Sequence, residues 1–555
     1  MQPADRATAV NGALCSFYFR FPPAVWGIEP RMTALSRMYE LTGDRKYLDH
    51  MREFIELALT YRDDHYDPGT APFPCGATSP PYPAKPIDDF RGHVMPGWGG
   101  SSPDIADFNF VPEVVTSLYG YSIARFARIV AEDPTLQATY GNDAIRYVNA
   151  TLETAWAFMP QVDTRSVGNL FEANLSQLEI YRTKPSSSEC QQAYDKEKAA
   201  MDAANAQAAA AGSPLPFDQS SYNRLAQQKT NCQNLSCVAG APLGNNESGA
   251  YAMMLIELWR VLDSDFYRRS NQQASNAELS RSLFPLLVSR VYRFVVNRLQ
   301  PVADARGDRY HWNYQDDQPS CVRVQAEDVR HGALDMRYLE VLRAAFDRLN
   351  AEASKAGEPI PLDLPQLRHF ANTFLEEIAP GQNFNEDVDG RPDNPDSNGI
   401  WEDNANCDGW VNLAVADPNV YRICHDASLN IVSNSQPYLN IGNHSALLAA
   451  KPFSAGLVSA SGKVTFLRVN EVGTGFGSPI EFLDAEAIVQ LDTQPGKSFG
   501  FQLRTDKQEA DHLGMLEVLR SAFHANRTVD IEYLRNGAQN GLIIRVARVN
   551  LSGGK

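Results

Sequence analysis

MYELTGDRKYLDHMREFIELAL, residues 38–59, reads as two helices folded back on one another. Leu35, Met38 and Tyr39 fall at i, i+3, i+4, the spacing that puts side chains on one face of a helix. Gly43 follows as a stop, because glycine takes the left-handed turn that ends helices. Asp44 is placed to cap the next helix by accepting backbone N–H groups. Tyr47, Met51 and Ile55 then form a second stripe at i, i+4, i+8, so the segment 31–61 is a helical hairpin.

Outward from this hairpin the same periodicity recurs near 111–131, 141–160, 167–182, 246–263, 275–299, 330–349 and 364–378, with shorter helices near 409–417 and 442–450. Strand signals are nearly absent before residue 450. Many helical hairpins with long loops between them suit an α/α toroid better than a bundle, whose connections are fewer and shorter. Two segments interrupt the pattern. Residues 63–110 are rich in Pro, Gly and Asp, and residues 183–242 carry QQAYDKEKAAMDAANAQAAAA (191–211) between Cys190 and Cys232, a surface insertion that would cover a cleft. After Phe453 the pattern changes. KVTFLRVNEV, IEFLDAEAIVQL, SFGFQLR, TVDIEYL and LIIRVARVNL read as five strands, with the amphipathic helix LGMLEVLRSAFHAN between the third and fourth. The order β-β-β-α-β-β suits a small barrel of the OB type. The chain is therefore expected to be mainly α, with an α/α toroid over 1–450 and a small C-terminal β-barrel module over 451–555. That module serves binding or simply structure, since a fold alone assigns no function.

The 555 residues are 43% hydrophobic, enough for a large core, and carry a formal charge of -17. No Lys/Arg run supplies the basic face that nucleic acid requires, so no nucleic-acid partner is expected. A polyanionic substrate would need a local basic cleft in an acidic surface. No run of about 18 apolar residues marks a membrane span. The eight cysteines include no CxxC pair. An even number in loop-like stretches fits disulfides, hence a secreted or periplasmic protein. Cys407–Cys424 and a bridge among Cys190, Cys232 and Cys237 are the plausible pairs.

The hairpin phrase at 38–59 resembles that of the six-hairpin glycosidases and toroidal polysaccharide lyases. LGNNESGAYAMMLIELWRVL (243–262) and YHWNYQDDQPSCVRVQAEDVRHGALDMRYLEVL (310–342) resemble the middle of the toroidal lyases. The resemblance implies a carbohydrate-active enzyme on a uronate-containing glycan, with Asn246 neutralising the substrate carboxylate. The alternative for Asn245, Asn246, Glu247 and Ser248 is a set of helix caps.

The residues themselves point to similar chemistry. Tyr310, His311, Trp312, Asn313 and Tyr314, followed by Glu327, Asp328, Arg330 and His331, supply what β-elimination needs. Asn, Arg or protonated His neutralises the carboxylate and the enolate-like charge beside it, and Tyr or His moves the proton. His331 and Asp335, at i and i+4 on a helix start, face one side. The competing reading makes Trp312 and Tyr314 core aromatics, and Glu327 or Asp328 a cap. Catalytic candidates are thus Tyr310, Tyr314, His331, Asn246 and Arg330. Arg91, His93, Trp98, Glu247, Trp312, Glu327 and Trp401 are candidates for substrate binding, with Trp26 and Asp107 as further loop or platform residues. A hydrolase would instead draw two carboxylates from Glu247, Asp316, Asp317, Glu327 and Asp328. A non-catalytic glycan-binding protein would show only aromatics in its groove. The acidic stretch 383–410 places Asn385, Asp387, Asp389 and Gly390 at EF-hand-like spacing, with Asp396 where Glu is expected. Apart from a calcium ion there, no cofactor is expected, and turn chemistry explains the same residues.

Overall fold

The computed structural model describes residues 23–67, 85–88, 92–102, 105–159, 187–210, 244–304, 307–313, 326–380, 384–385, 387–390, 407–430, 437–451, 457–477, 482–483, 485–504, 509–536 and 540–548, with scattered positions in 219–230. In chain order the elements are α1 (Pro23–Thr42), α2 (Lys46–Thr60), β1 (Gly100–Ser102), β2 (Ile105–Phe110), α3 (Glu113–Glu132), α4 (Pro134–Phe158) and α5 (Ser187–Ala210). Then come α6 (Asn245–Leu262), α7 (Ala277–Asn297), β3 (Gln300–Asp304), β4 (Gly307–His311), α8 (Val329–Lys355) and α9 (Leu364–Thr373), the last running into a π-turn at Phe374–Ile378. A 3-10 segment (Trp410–Val415) precedes α10 (Pro418–Asn430) and α11 (Pro437–Ala450). The remainder is β5 (Leu457–Val469), β6 (Ala487–Leu491), β7 (Ser498–Phe501), α12 (Glu509–His524), β8 (Thr528–Asn536) and β9 (Asn540–Arg548).

The protein is mostly helical with a small closed barrel of five strands. The hairpin that opens the reading is present. Gly43 sits at φ +67° and its N–H donates to the carbonyl of Tyr39 at 2.7 Å, ending α1. Asp44 accepts from the Lys46 N–H at 3.1 Å. The apolar stripe of α1 is only half-buried. The buried positions are Ile28, Glu29, Pro30, Met32, Thr33, Ala34, Ser36 and Arg37, so the buried face includes polar residues that meet other helices.

Those contacts organise the helices. α1, α3, α6, α8, the 3-10 segment and α11 each pack on the next, and α11 returns to α1. α2 lies against α1 and α3, α4 against α3 and α6, and α7 against α6 and α8. α3 and α6 are buried nearly all round, whereas α2 buries one face through Leu48, Met51, Phe54, Ile55, Ala58 and Leu59. A helix without a polar face belongs inside, and an amphipathic one belongs at the surface. Cross-helix pairs give the direction. Glu29 of α1 meets Ser122 of α3 and Arg337 of α8, whereas the later Glu40 meets Arg128 and the later Arg37 meets Glu340. Gly120 of α3 abuts Met254 of α6, and the later Arg128 reaches Glu257. Early residues pair with early ones and late with late, so α1, α3, α6 and α8 run parallel and their first turns share one end.

Two expectations are corrected. Strands do occur before residue 450: β1–β2 and β3–β4 are antiparallel hairpins, the second in register from Gln300↔His311 to Asp304↔Gly307. Both are short and stand on a helical scaffold, so their sequences carry no long alternation. Helix α10 was not anticipated either. The expected helix at 167–182 lies outside the described residues, whereas α5 falls within the anticipated insertion. Cys407 and Cys424 are joined as a disulfide; the remaining cysteine pairings fall outside the described side chains. Among the described residues, no helix is long and apolar enough to cross a membrane.

The barrel order is β5-β6-β7-β9-β8, with β8 returning to β5. The β7–β9 pair is parallel and the others antiparallel. β6 begins only at Ala487. The preceding apolar residues instead form a bridge between Phe476 and Leu483. Separate apolar clusters fill the two parts, one spanning Ile28 to Ala450 and another Ala460 to Ile543.

Candidate functional site

The start of α8 is held by contacts from several segments. Asp328 is its cap, accepting from the N–H groups of Arg330 at 2.9 Å and His331 at 3.0 Å. The Glu327 N–H donates to the Trp312 carbonyl at 3.0 Å, and its own carbonyl accepts from Val388 at 2.9 Å. A bridge between Asp328 and Asp387 adds the segment 384–390 to the site. Trp410 donates its ring N–H to the Val329 carbonyl at 3.0 Å. This packing requires glycine at 409, where a Cβ would sit 1.7 Å from the Ala333 carbonyl oxygen.

Three side chains converge here. Donor atoms of Glu327, Asp328 and His331 all lie within 4.8 Å of one another. His331 Nδ1 is hydrogen-bonded to Asp328 Oδ2 and lies 3.9 Å from Glu327 Oε1. Both Asp328 and His331 are half-buried and reachable from solvent, whereas Glu327 is 0% exposed and neither of its carboxyl oxygens has a hydrogen-bond partner. One turn further on, Asp335 is 3% exposed. Its Oδ2 accepts from the Trp312 ring N–H at 3.1 Å, and its Oδ1 has no partner.

The electrostatics follow from this packing. Burial, reinforced by Asp335, Asp328, Glu247 and Asp387, pushes the Glu327 carboxyl far above the usual carboxylate range. Burial likewise raises Asp335. Burial would raise Asp328 too, but its hydrogen bond to His331 and the imidazolium charge outweigh that and lower it. His331 shows the reverse: burial lowers it, and Asp328 outweighs burial and raises it. The charge of Glu247 also acts on both Glu327 and His331. The start of α6 therefore faces the start of α8, as two parallel neighbouring helices require. At α6 the cap is Gly244, whose N–H donates to Glu247 Oε2 at 3.1 Å. Asn245, Asn246 and Ser248 are buried and do not cap, and Asn246 Oδ1 has no partner.

The structure thus gathers Glu327, Asp328 and His331 into one site, on which the charge of Glu247 acts, with Asn246 and Arg330 on the same helix starts. It does not gather every candidate. Tyr310 packs edge-on against His369 and Phe370, and its N–H bonds to Thr373 at 3.0 Å. Trp312, expected to bind substrate, is 1% exposed between Phe370 and Trp410 and cannot stack on a sugar; it holds Asp335 instead. Trp98 is corrected in the same way: it is 6% exposed, donates to the Ala58 carbonyl at 2.7 Å and packs on Tyr119. His93 is exposed on a turn bridged to Asp88. Tyr314, Trp401, Arg91, Asp316, Asp317 and Asp396 lie outside the described residues, as do the side chains of Trp26 and Asp107. Sequence reasoning put Asp335 on the same face as His331 without naming it as a site residue, although Glu327, His331 and Asp335 are spaced at i, i+4, i+8. It also missed that the loop at 384–390 reaches the site through pairing, for which no local pattern exists.

Comparisons with protein families, with curated proteins and with solved structures give no match.

Proposed function

We propose that this protein is a lyase that cleaves a uronic-acid-containing glycan by β-elimination, working outside the cytoplasm on an α/α toroid with an appended OB-like module. The closed series of packed helices, parallel inside and backed by amphipathic helices, supports the toroid. The strand order, with a helix between the third and fourth strands, supports the OB-like module.

The observation that carries the reading is the meeting of two helix starts distant in sequence: Asn246–Glu247 on α6, and Asp328, Arg330 and His331 on α8. In β-elimination the proton α to the uronate carboxylate is removed, its electrons form the new carbon–carbon double bond, and the glycosidic oxygen leaves with a proton. The carboxylate must be neutralised for that proton to become acidic enough. His331, held as imidazolium by Asp328, would do this together with Arg330 and Asn246. A tyrosine then moves the proton. Tyr310 is occupied by its packing against α9, so Tyr314 is the better candidate.

A hydrolase is the second reading. Its support is the pair Glu327 and Asp335, which burial keeps protonated as a general acid must be. Incubation with alginate, glucuronan, pectate, heparinoids, chondroitin and hyaluronan separates the two. Ultraviolet absorbance of an unsaturated uronate rising together with reducing ends means elimination, whereas reducing ends alone mean hydrolysis. Full turnover by His331→Ala would remove the site assignment.

A further inference from the structure

We infer that Glu327, Asp328 and His331 form a binding site for one divalent cation of the Mn2+ or Zn2+ kind, and that this cation receives the substrate carboxylate. The second clause rests on the lyase reading, whereas the first stands without it; with the cation bound, His331 ligates as neutral imidazole and the cation takes the neutralising role given above to its imidazolium.

Three observations carry the proposal. The first is donor geometry. A divalent ion bound to nitrogen and oxygen at roughly 2.0–2.2 Å brings its ligands to within about 4 Å of each other. The three donor atoms here already lie within 4.8 Å, so closure needs shifts of only tenths of an ångström and a turn of the His331 ring off Asp328. The second is Glu327. It is held through its own N–H and carbonyl, is wholly buried, and has no hydrogen bond to either carboxyl oxygen, one of which faces His331 Nδ1 at 3.9 Å. Buried polar groups are nearly always paired, and one left over indicates a missing partner. A cation is the partner that two lone-pair-bearing oxygens would take. The third is the sign of the surroundings. Glu247 and Asp387 add to the acidic character around the triad. A glycan carboxylate entering such a site meets repulsion unless a positive charge stands between. Mixed imidazole and carboxylate donors favour Mn2+, Zn2+ or Fe2+ over the all-oxygen preference of Ca2+ and Mg2+.

The test uses the full chain, stripped with a chelator and titrated with Mn2+ and separately with Zn2+ by calorimetry. Electron paramagnetic resonance follows the bound Mn2+. One equivalent should bind, with nitrogen coupling from the imidazole. Glu327→Gln keeps the shape of the side chain, so it should fold. It should weaken binding on the order of 100-fold or more. His331→Gln should abolish the nitrogen coupling, with helix content checked by circular dichroism. Failure of the unaltered chain to bind either ion, or undiminished binding in both variants, overturns the site. If the metal binds but no uronate glycan yields the ultraviolet signal, the lyase reading falls and the site stands. If elimination proceeds equally after chelation, the role given to the cation falls and the lyase stands.

Discussion

The helical part and the closed β-barrel differ in kind in their interiors. Between α1, α3, α6 and α8 the space holds a connected set of charges. Arg337 grips Glu29, Arg37 bridges Asp408 at 2.5 Å and Glu340 at 2.8 Å, and Arg128 joins Glu257 at 2.9 Å to Glu40 at 2.5 Å. The barrel is filled by Val464, Val489, Leu491, Phe499, Phe501, Ile531 and Tyr533, closed off by Leu519 of α12. The difference follows from size. Helix axes stand about 8–10 Å apart, a distance that long Arg and Glu side chains span from one helix to the next. A five-stranded barrel is narrow enough for ordinary apolar side chains to fill. The lesson is that the helical part depends on pairing and the barrel on packing.

The largest expected effect breaks a pair. Arg337→Ala leaves Glu29 buried without its cation, which costs about 3–5 kcal/mol. All seven tryptophans precede residue 451, so fluorescence during urea unfolding reads the helical part alone. Hydrogen exchange of peptides from β5–β9 should be unchanged. The double variant Glu29→Leu/Arg337→Met should recover most of the loss. A double variant as weak as the single one would mean that shape, and not charge, fills the space.

Removing the disulfide comes next. Cys407 and Cys424 are 17 residues apart and tie the 3-10 segment to α10. Replacing both with alanine should cost about 3 kcal/mol on the loop-closure argument, seen in the tryptophan signal and absent from barrel exchange.

Acid should separate the two parts further. Burial alone would raise Glu40, Glu257 and Asp408, but neighbouring arginines more than reverse this and hold all three below their ordinary values. Groups with lowered folded pKa values contribute stability that is complete above the unfolded values, about 4 for these carboxylates. It is lost as pH falls below that through the folded values. In the barrel Glu486 is shifted in the same direction, against burial, by the N–H groups of Gly473 and Leu503 and by Arg504. Tryptophan fluorescence should therefore report loss of the helical part at a higher pH than barrel exchange reports opening. Simultaneous loss would mean that the two parts unfold as one unit.

The smallest effect probes packing. Ile531→Val in the barrel should cost about 1 kcal/mol, visible in β8 exchange and invisible to tryptophan.

Periodicity alone determined the helical hairpins, the change to strands after residue 450 and the helix between the third and fourth barrel strands, because side-chain spacing is a local property. It also marked the stretch from Glu327 to Asp335, since residues four apart on a helix share a face. Only the tertiary structure decided which face of α1 is buried, because Thr33 and Arg37 go inside where Arg337 and Glu340 of α8 and Asp408 meet them. It alone removed Trp312 and Trp98 from the substrate candidates, since an aromatic side chain looks the same in sequence whether it is buried or exposed. It also brought Glu247 to His331, because parallel packing of α6 and α8 puts two helix starts at one end, and no spacing along the chain encodes that meeting.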